Sequence, residues 1–134
     1  MRIAGMSVFL LALAAWSWSQ TEKPLRQRVP APQPEKYVQV RDARDWKNPF
    51  LIVRPDGIEI LGMTPLGRAI AVGSVQPVLE GLPVSEWPYG LIVAVQDIGI
   101  QSRKTDRARI EANLVKLLHI LKQLGISVDR WPSA

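Results

Sequence analysis

The carboxyl-terminal third of the chain constrains the fold most, because two short apolar runs flank a long amphipathic stretch. Residues 91–95 are apolar at every position, which predicts a central strand covered on both faces. Residues 126–128 alternate between apolar and polar, which predicts a last strand. A helix of about five turns lies between them. We therefore expect a crossover unit with parallel strands and a right-handed connection.

The long helix is predicted from leucine and isoleucine spaced along one helical face. Thr105 or Asp106 can cap its start, and Gly125 stands where a left-handed cap ends a helix. His119 falls on the polar side. Because it is the only histidine, we expect a solvent-facing residue and no metal site. The apolar stripe consists of Ile110, Leu114, Leu117, Leu121 and Leu124.

Upstream, the chain predicts a β-hairpin and a short helix. Pro55-Asp56-Gly57 separates the apolar runs 50–54 and 58–61. This turn combines the fixed φ of proline, an aspartate that bonds its own backbone and a glycine that accepts positive φ. Residues 68–72 predict a third short extended piece, and residues 74–81 predict a helix of about two turns.

Together these elements predict a single α+β domain over residues 48–134. Its small mixed β-sheet would consist of the β-hairpin, the central strand and the C-terminal strand, packed by one short and one long helix. The chain has no cysteine, which excludes disulfides and thiolate metal sites. It also lacks a phosphate loop and a dinucleotide fingerprint, so no cofactor is expected.

Residues 1–19 have the pattern of a removable signal peptide: Arg2, an apolar run, and then small residues. Ser17 and Ser19 predict cleavage after Ser19, and Ala12 and Ala14 offer a second site. The apolar run is shorter than the roughly 20 residues that a spanning helix needs. We expect a periplasmic or secreted protein, with retention of the segment as a membrane anchor as the alternative.

Residues 20–47 predict a basic, proline-rich and disordered leader, because they show no apolar period. Residues 37–40 alternate and favour, weakly, a short edge strand. The leader has seven Lys or Arg residues against four Asp or Glu residues, whereas residues 48–134 have nine against eight. A nearly neutral domain argues against nucleic acid as the partner. We expect another envelope protein or self-association, and membrane contact only if the N-terminal segment is retained.

Three groups of side chains are candidates for a site. Asp97 follows the central strand, at the end where α/β sheets bind ligands, and the alternative is an ordinary loop or turn acid. The loop aromatics either anchor an interface or fold back over the core. The basic cluster at the start of the long helix either binds an anion or forms a solvated face. The aromatics are Trp87, Tyr89 and Trp131, and the cluster is Arg103, Lys104, Arg107 and Arg109.

The order of elements resembles the periplasmic domain of the ExbD/TolR biopolymer-transport accessory family. The resemblance rests on the Pro55-Asp56-Gly57 turn, on the 91–95 strand that ends near Asp97, and on residues 118–126 leading into the last strand. It implies this fold and a domain that works by contact with other proteins. That family couples proton flow through an aspartate in a membrane helix. Residues 1–19 contain no acid, so that role is not carried over.

The sequence therefore predicts an exported, non-enzymatic binding or structural module that acts through protein contacts in the cell envelope. One alternative is a membrane-tethered accessory of an ExbD/TolR-like transport machine. Another is a small hydrolase or cell-wall-ligand binder that uses Asp97 and the basic cluster. No nucleophile elbow accompanies the single histidine, so the sequence gives a hydrolase no plausible base.

Overall fold

The computed structural model describes residues 23–99 and 103–134, and the predicted signal segment lies outside them. The described part contains α-helices, β-strands and several short 3-10 helices. In chain order the helices and strands are α1 Leu25–Arg28, β1 Phe50–Arg54, β2 Gly57–Ile60, α2 Val75–Glu80, β3 Ile92–Asp97, α3 Lys104–Gln123 and β4 Ser127–Arg130.

The four strands form one mixed sheet in the order β2-β1-β3-β4. Strands β1 and β2 pair antiparallel across the predicted hairpin turn. Strand β3 pairs in parallel with β1 on one side and with β4 on the other. The predicted α+β class, the hairpin and the parallel strands that flank the long helix are therefore confirmed.

One face of the sheet packs against α2 and α3, and the predicted stripe supplies the α3 side of this core. Ile110, Leu117 and Leu121 are buried, and Leu114 and Leu124 are partly buried against them. The predicted N-terminal cap is wrong, because Thr105 and Asp106 lie inside the first turn. The predicted left-handed cap at Gly125 is confirmed by its φ of +74°. Arg103 is the N-cap residue and its side chain makes no capping hydrogen bond.

The other face of the sheet carries a cluster of aromatic rings. Trp46 lies edge-on to Tyr89 and Trp131, at centroid distances of 4.9 and 6.0 Å. Phe50 of β1 lies edge-on to Trp131 at 5.0 Å, and Tyr37 lies 5.6 Å from Trp46. Such geometry adds to the free energy gained from apolar burial. Both faces of β3 are thus covered, as its continuous apolar run predicts.

Residues 23–47 differ from the disordered leader that the sequence predicts, because they lie against the domain. Leu25 and Val29 are buried in the same core as the sheet and α3. The Arg28 guanidinium donates to the carbonyl of Glu80 at 2.6 Å and so satisfies a carbonyl at the end of α2. Two apolar residues one helical turn apart are enough to dock this segment, although they are too few to show a period in the sequence.

The backbone of this segment also bonds to the loop that precedes β3. Leu91 donates its N–H to the carbonyl of Pro30 at 2.9 Å, and Gln33 donates to the carbonyl of Tyr89 at 2.8 Å. Residues 37–40 form turns next to the 3-10 helix Pro34–Lys36 and not the predicted edge strand. We call residues 23–47 the strap.

Candidate functional site

Strand β4 leaves one of its edges open. Ser127 donates its N–H to the carbonyl of Leu91 at 3.1 Å, and Trp131 donates to that of Val95 at 2.9 Å. Because backbone direction alternates along a strand, the N–H and C=O groups of Val128 and Arg130 point away from β3. No other described strand pairs with β4. A further strand could therefore extend the sheet here.

The opposite edge of the sheet, at β2, is closed by the chain itself. Ile58 and Ile70 exchange two backbone hydrogen bonds of 2.9 Å. The predicted extended piece 68–72 is thus an isolated bridge at Ile70 and not a strand. The Thr64 hydroxyl donates to the carbonyl of Ile60 and accepts from its N–H. The outward groups of β2 are thus satisfied, which leaves β4 as the edge able to accept a partner.

A cleft of about 340 Å³ lies beside the open edge. Arg41 from the strap stands at this cleft, and its Nη1 donates to the carbonyls of Val38 and Val40 at 2.8 and 3.2 Å. The Trp131 indole Nε1 donates to Asp129 at 3.1 Å, which fixes the ring. The lining residues are Val40, Arg41, Asp129, Arg130, Trp131 and Pro132.

Asp97, the predicted ligand residue at the end of β3, is buried and hydrogen-bonded. Its Oδ1 accepts from the N–H of Gly99 at 3.0 Å, and its Oδ2 lies 3.5 Å from Arg130 Nη2. Burial raises the pKa of Asp97, but hydrogen bonds from Ser133 and Gly99 and the charge of Arg130 outweigh it and leave the pKa below its ordinary value. The carboxylate therefore helps to hold the C-terminal residues against β3.

This carboxylate should contribute to acid denaturation. Because the pKa of Asp97 is lower in the folded protein than its ordinary value of 3.8, folding favours the ionised form. That stabilisation is complete above the ordinary pKa and disappears as the pH falls through the lower, folded-state pKa. Urea unfolding across the acid range checks this. Asp97→Asn should flatten the loss of stability below pH 3.8, and an unchanged pH dependence would contradict the assignment.

The structure does not gather the predicted basic cluster into one site. Arg103, Lys104, Arg107 and Arg109 are all exposed, and of these Arg107 lines a second cleft, of about 440 Å³, with Asp97 and Glu111. His119 is exposed on α3, as predicted. Residues 23–99 and 103–134 contain no group of three or more His, Asp or Glu side chains placed to bind a metal.

Two of the three aromatic residues proposed for an interface are instead buried. Trp87 is 2% exposed within the main core, and Tyr89 is 6% exposed within the aromatic cluster. The Tyr89 hydroxyl also donates to the carbonyl of Asp45, so its polar end is satisfied inside the protein. The large apolar rings fold back over a small core that gains most from burying them. Trp131 alone stays half-exposed, at the cleft.

The sequence gives no sign of Arg41 as a site residue. It lies in a segment without apolar period, and the cleft exists only because the strap folds back beside β4. The alternation of residues 126–128 predicts β4 itself, but it does not show which of its edges stays open. That depends on the strand order.

No protein-family model matches the chain, and no curated protein or solved structure matches it. Within the described residues, no helix combines the length and the apolar character that crossing a membrane requires.

Proposed function

We propose that this chain is an exported, non-enzymatic binding module that engages another envelope protein by accepting an extended segment at the open edge of β4. The observation that carries the proposal is the contrast between the two edges of the sheet. The outward groups of β2 are bonded to Ile70 and Thr64, whereas those of Val128 and Arg130 have no described partner. Strand addition satisfies such groups and gives affinity through the main chain.

Two alternative functions differ from this proposal, one in the position of the site and the other in a retained membrane anchor. A hydrolase or cell-wall-ligand binder would use Asp97 with Arg107, which line one cleft. The oxygens of Asp97 bond Gly99 and Arg130, and its pKa lies below its ordinary value, which makes this carboxylate a weaker general base than an ordinary aspartate. A tethered accessory of an ExbD/TolR-like machine would use the same edge with residues 1–19 retained, so N-terminal sequencing of the expressed protein separates it from the secreted form.

Val128→Pro tests strand addition. Proline removes the outward N–H of Val128, which makes no hydrogen bond within the described protein, and an edge strand tolerates such a change. We expect a folded protein whose partner affinity falls by about tenfold or more. The full chain serves as bait in envelope extract, and sedimentation of the chain at rising concentration shows whether the partner is a second copy.

Val128→Ala is the matched control, because it also removes the valine side chain that packs against the core but keeps the N–H. This variant should retain the partner. If Val128→Pro keeps wild-type circular dichroism and recovers the same proteins as Val128→Ala, strand addition at β4 is wrong.

A further inference from the structure

We infer that the segment added to β4 carries an acidic side chain, which the Arg41 guanidinium binds in the adjacent cleft. This inference rests on the proposed strand addition and names the chemistry of the partner. It follows from three features of the cleft: a prepositioned guanidinium, an apolar wall beside it, and an excess of positive charge around the edge.

The Arg41 guanidinium is held in place by the strap's own backbone. Its Nη1 donates to the carbonyls of Val38 and Val40, and its Nε and Nη2 have no hydrogen-bond partner among the described residues. Arginine presents its donors in a planar fork that matches a carboxylate. Because the turn already fixes this side chain, binding a carboxylate here costs less conformational entropy than it would at a free arginine.

The half-exposed indole of Trp131 forms the apolar wall of the cleft. Edge-on contacts with Phe50 and Trp46 and the hydrogen bond from its Nε1 to Asp129 fix the ring. That bond also engages the carboxylate of Asp129, the only acid among the described residues that line the cleft. Val40 and Pro132 add apolar surface. The cleft would therefore also accommodate an apolar side chain that lies on the same face of the added segment as the acid.

Positive charge surrounds the edge at both of its ends. Arg130 is 43% exposed along its side chain and lies with Arg41 at the carboxyl end. Arg26 of α1 approaches Gly125, just before β4, and Lys122 lies in the last turn of α3. Two acids stand against these four cations: Asp97, which pairs with Arg130, and Asp129. The edge therefore keeps an excess of positive charge, which favours an acidic segment and disfavours a basic one.

The alternation of a strand fixes where the partner's side chains fall. Residues of the added segment that point to the same face as Asp129 and Trp131 reach the cleft, and their neighbours point to the face covered by α3. An acidic residue that bonds Arg41 and an apolar residue that contacts Trp131 must therefore lie an even number of positions apart. The spacing of two is the shortest that fits.

A library of random displayed peptides, selected against the full chain, tests this inference. We expect enriched peptides that pair an acidic with an apolar residue at alternate positions and that lose affinity for Val128→Pro. Binding of one such synthetic peptide is then titrated by calorimetry. Arg41→Gln should weaken it by about tenfold or more, since hydrogen bonds to charged groups are the stronger ones.

Arg44→Gln is the matched control, because Arg44 is exposed on the same strap and bonds Asp42 outside the cleft. It should leave the affinity unchanged. Replacing the peptide's acid with its amide should abolish the difference between wild type and Arg41→Gln, which closes a double-mutant cycle.

The outcomes distinguish strand addition from recognition of a carboxylate by Arg41. Peptides that need the Val128 N–H but show no acidic preference, or that bind Arg41→Gln as well as wild type, would overturn the carboxylate inference and leave strand addition standing. Peptides unaffected by Val128→Pro, or no enriched peptide at all, would count against strand addition and against the inference with it.

Discussion

Asn48→Ala is expected to lower the free energy of unfolding by about 3–5 kcal/mol, because two buried backbone groups would lose their partner and a third, the Gly90 carbonyl, would keep only the N–H of Ile92. The Asn48 Nδ2 donates to the carbonyls of Gly90 and Ile92 at 2.7 and 2.8 Å, and its Oδ1 accepts from the N–H of Tyr89 at 2.8 Å. Asn48 is 5% exposed, so water cannot replace these bonds. One side chain thereby joins the residues between the strap and β1 to the start of β3.

Chemical denaturation of the wild type and the variant measures this loss. Gln96→Ala is a suitable control, since Gln96 makes a single exposed bond, to the carbonyl of Pro132. That control should change the free energy of unfolding by about 0.5 kcal/mol or less. A loss near that of Gln96→Ala for Asn48→Ala would mean that the amide does not hold the two segments together.

Gly90→Ala is expected to cost about 3 kcal/mol or more, because it combines backbone strain with a clash against the strap. Gly90 has a φ of +87°, and a Cβ atom there would lie 2.3 Å from the carbonyl oxygen of Ala31. The backbone of Ala31 and Pro32 would have to move away. In doing so it would weaken the bond between Leu91 and Pro30.

Gly67→Ala provides the matched control for Gly90→Ala. Gly67 also has a positive φ, of +75°, but a Cβ atom there meets nothing within 4 Å. This variant should therefore show the strain alone, about 1–2 kcal/mol. Thermal and urea unfolding of both variants check the comparison. Equal losses would contradict the position of the strap over Gly90.

The sheet and the long helix were predictable because their signals are local. Residues 50–61 carry a hairpin turn between two apolar runs, and residues 91–128 show the strand, helix and strand periods in succession. Each element buries enough apolar surface to leave its period in the sequence. The strap does not, because it is held by two buried side chains and by backbone bonds that leave no residue pattern.

Only part of the candidate site was predictable from the sequence, because the exposure of a side chain and its contacts depend on the tertiary fold. Trp131 could be singled out as a loop aromatic, but the same signal selected Trp87 and Tyr89, which are buried. Whether a loop ring faces solvent depends on which core surface lies beneath it, and that is a tertiary property. The Arg41 guanidinium is positioned by hydrogen bonds to the carbonyls of Val38 and Val40. Those bonds form only in the folded turn, so the sequence does not show them.

Amide hydrogen exchange at β4, with and without an edge-binding peptide, is a direct test of strand addition. We expect exchange at Val128 and Arg130 to slow on binding. Ser127 and Trp131, whose N–H groups are already bonded to Leu91 and Val95, should change little. Unchanged exchange at Val128 and Arg130, with new protection elsewhere on the domain, would contradict strand addition as the way this protein binds its partner.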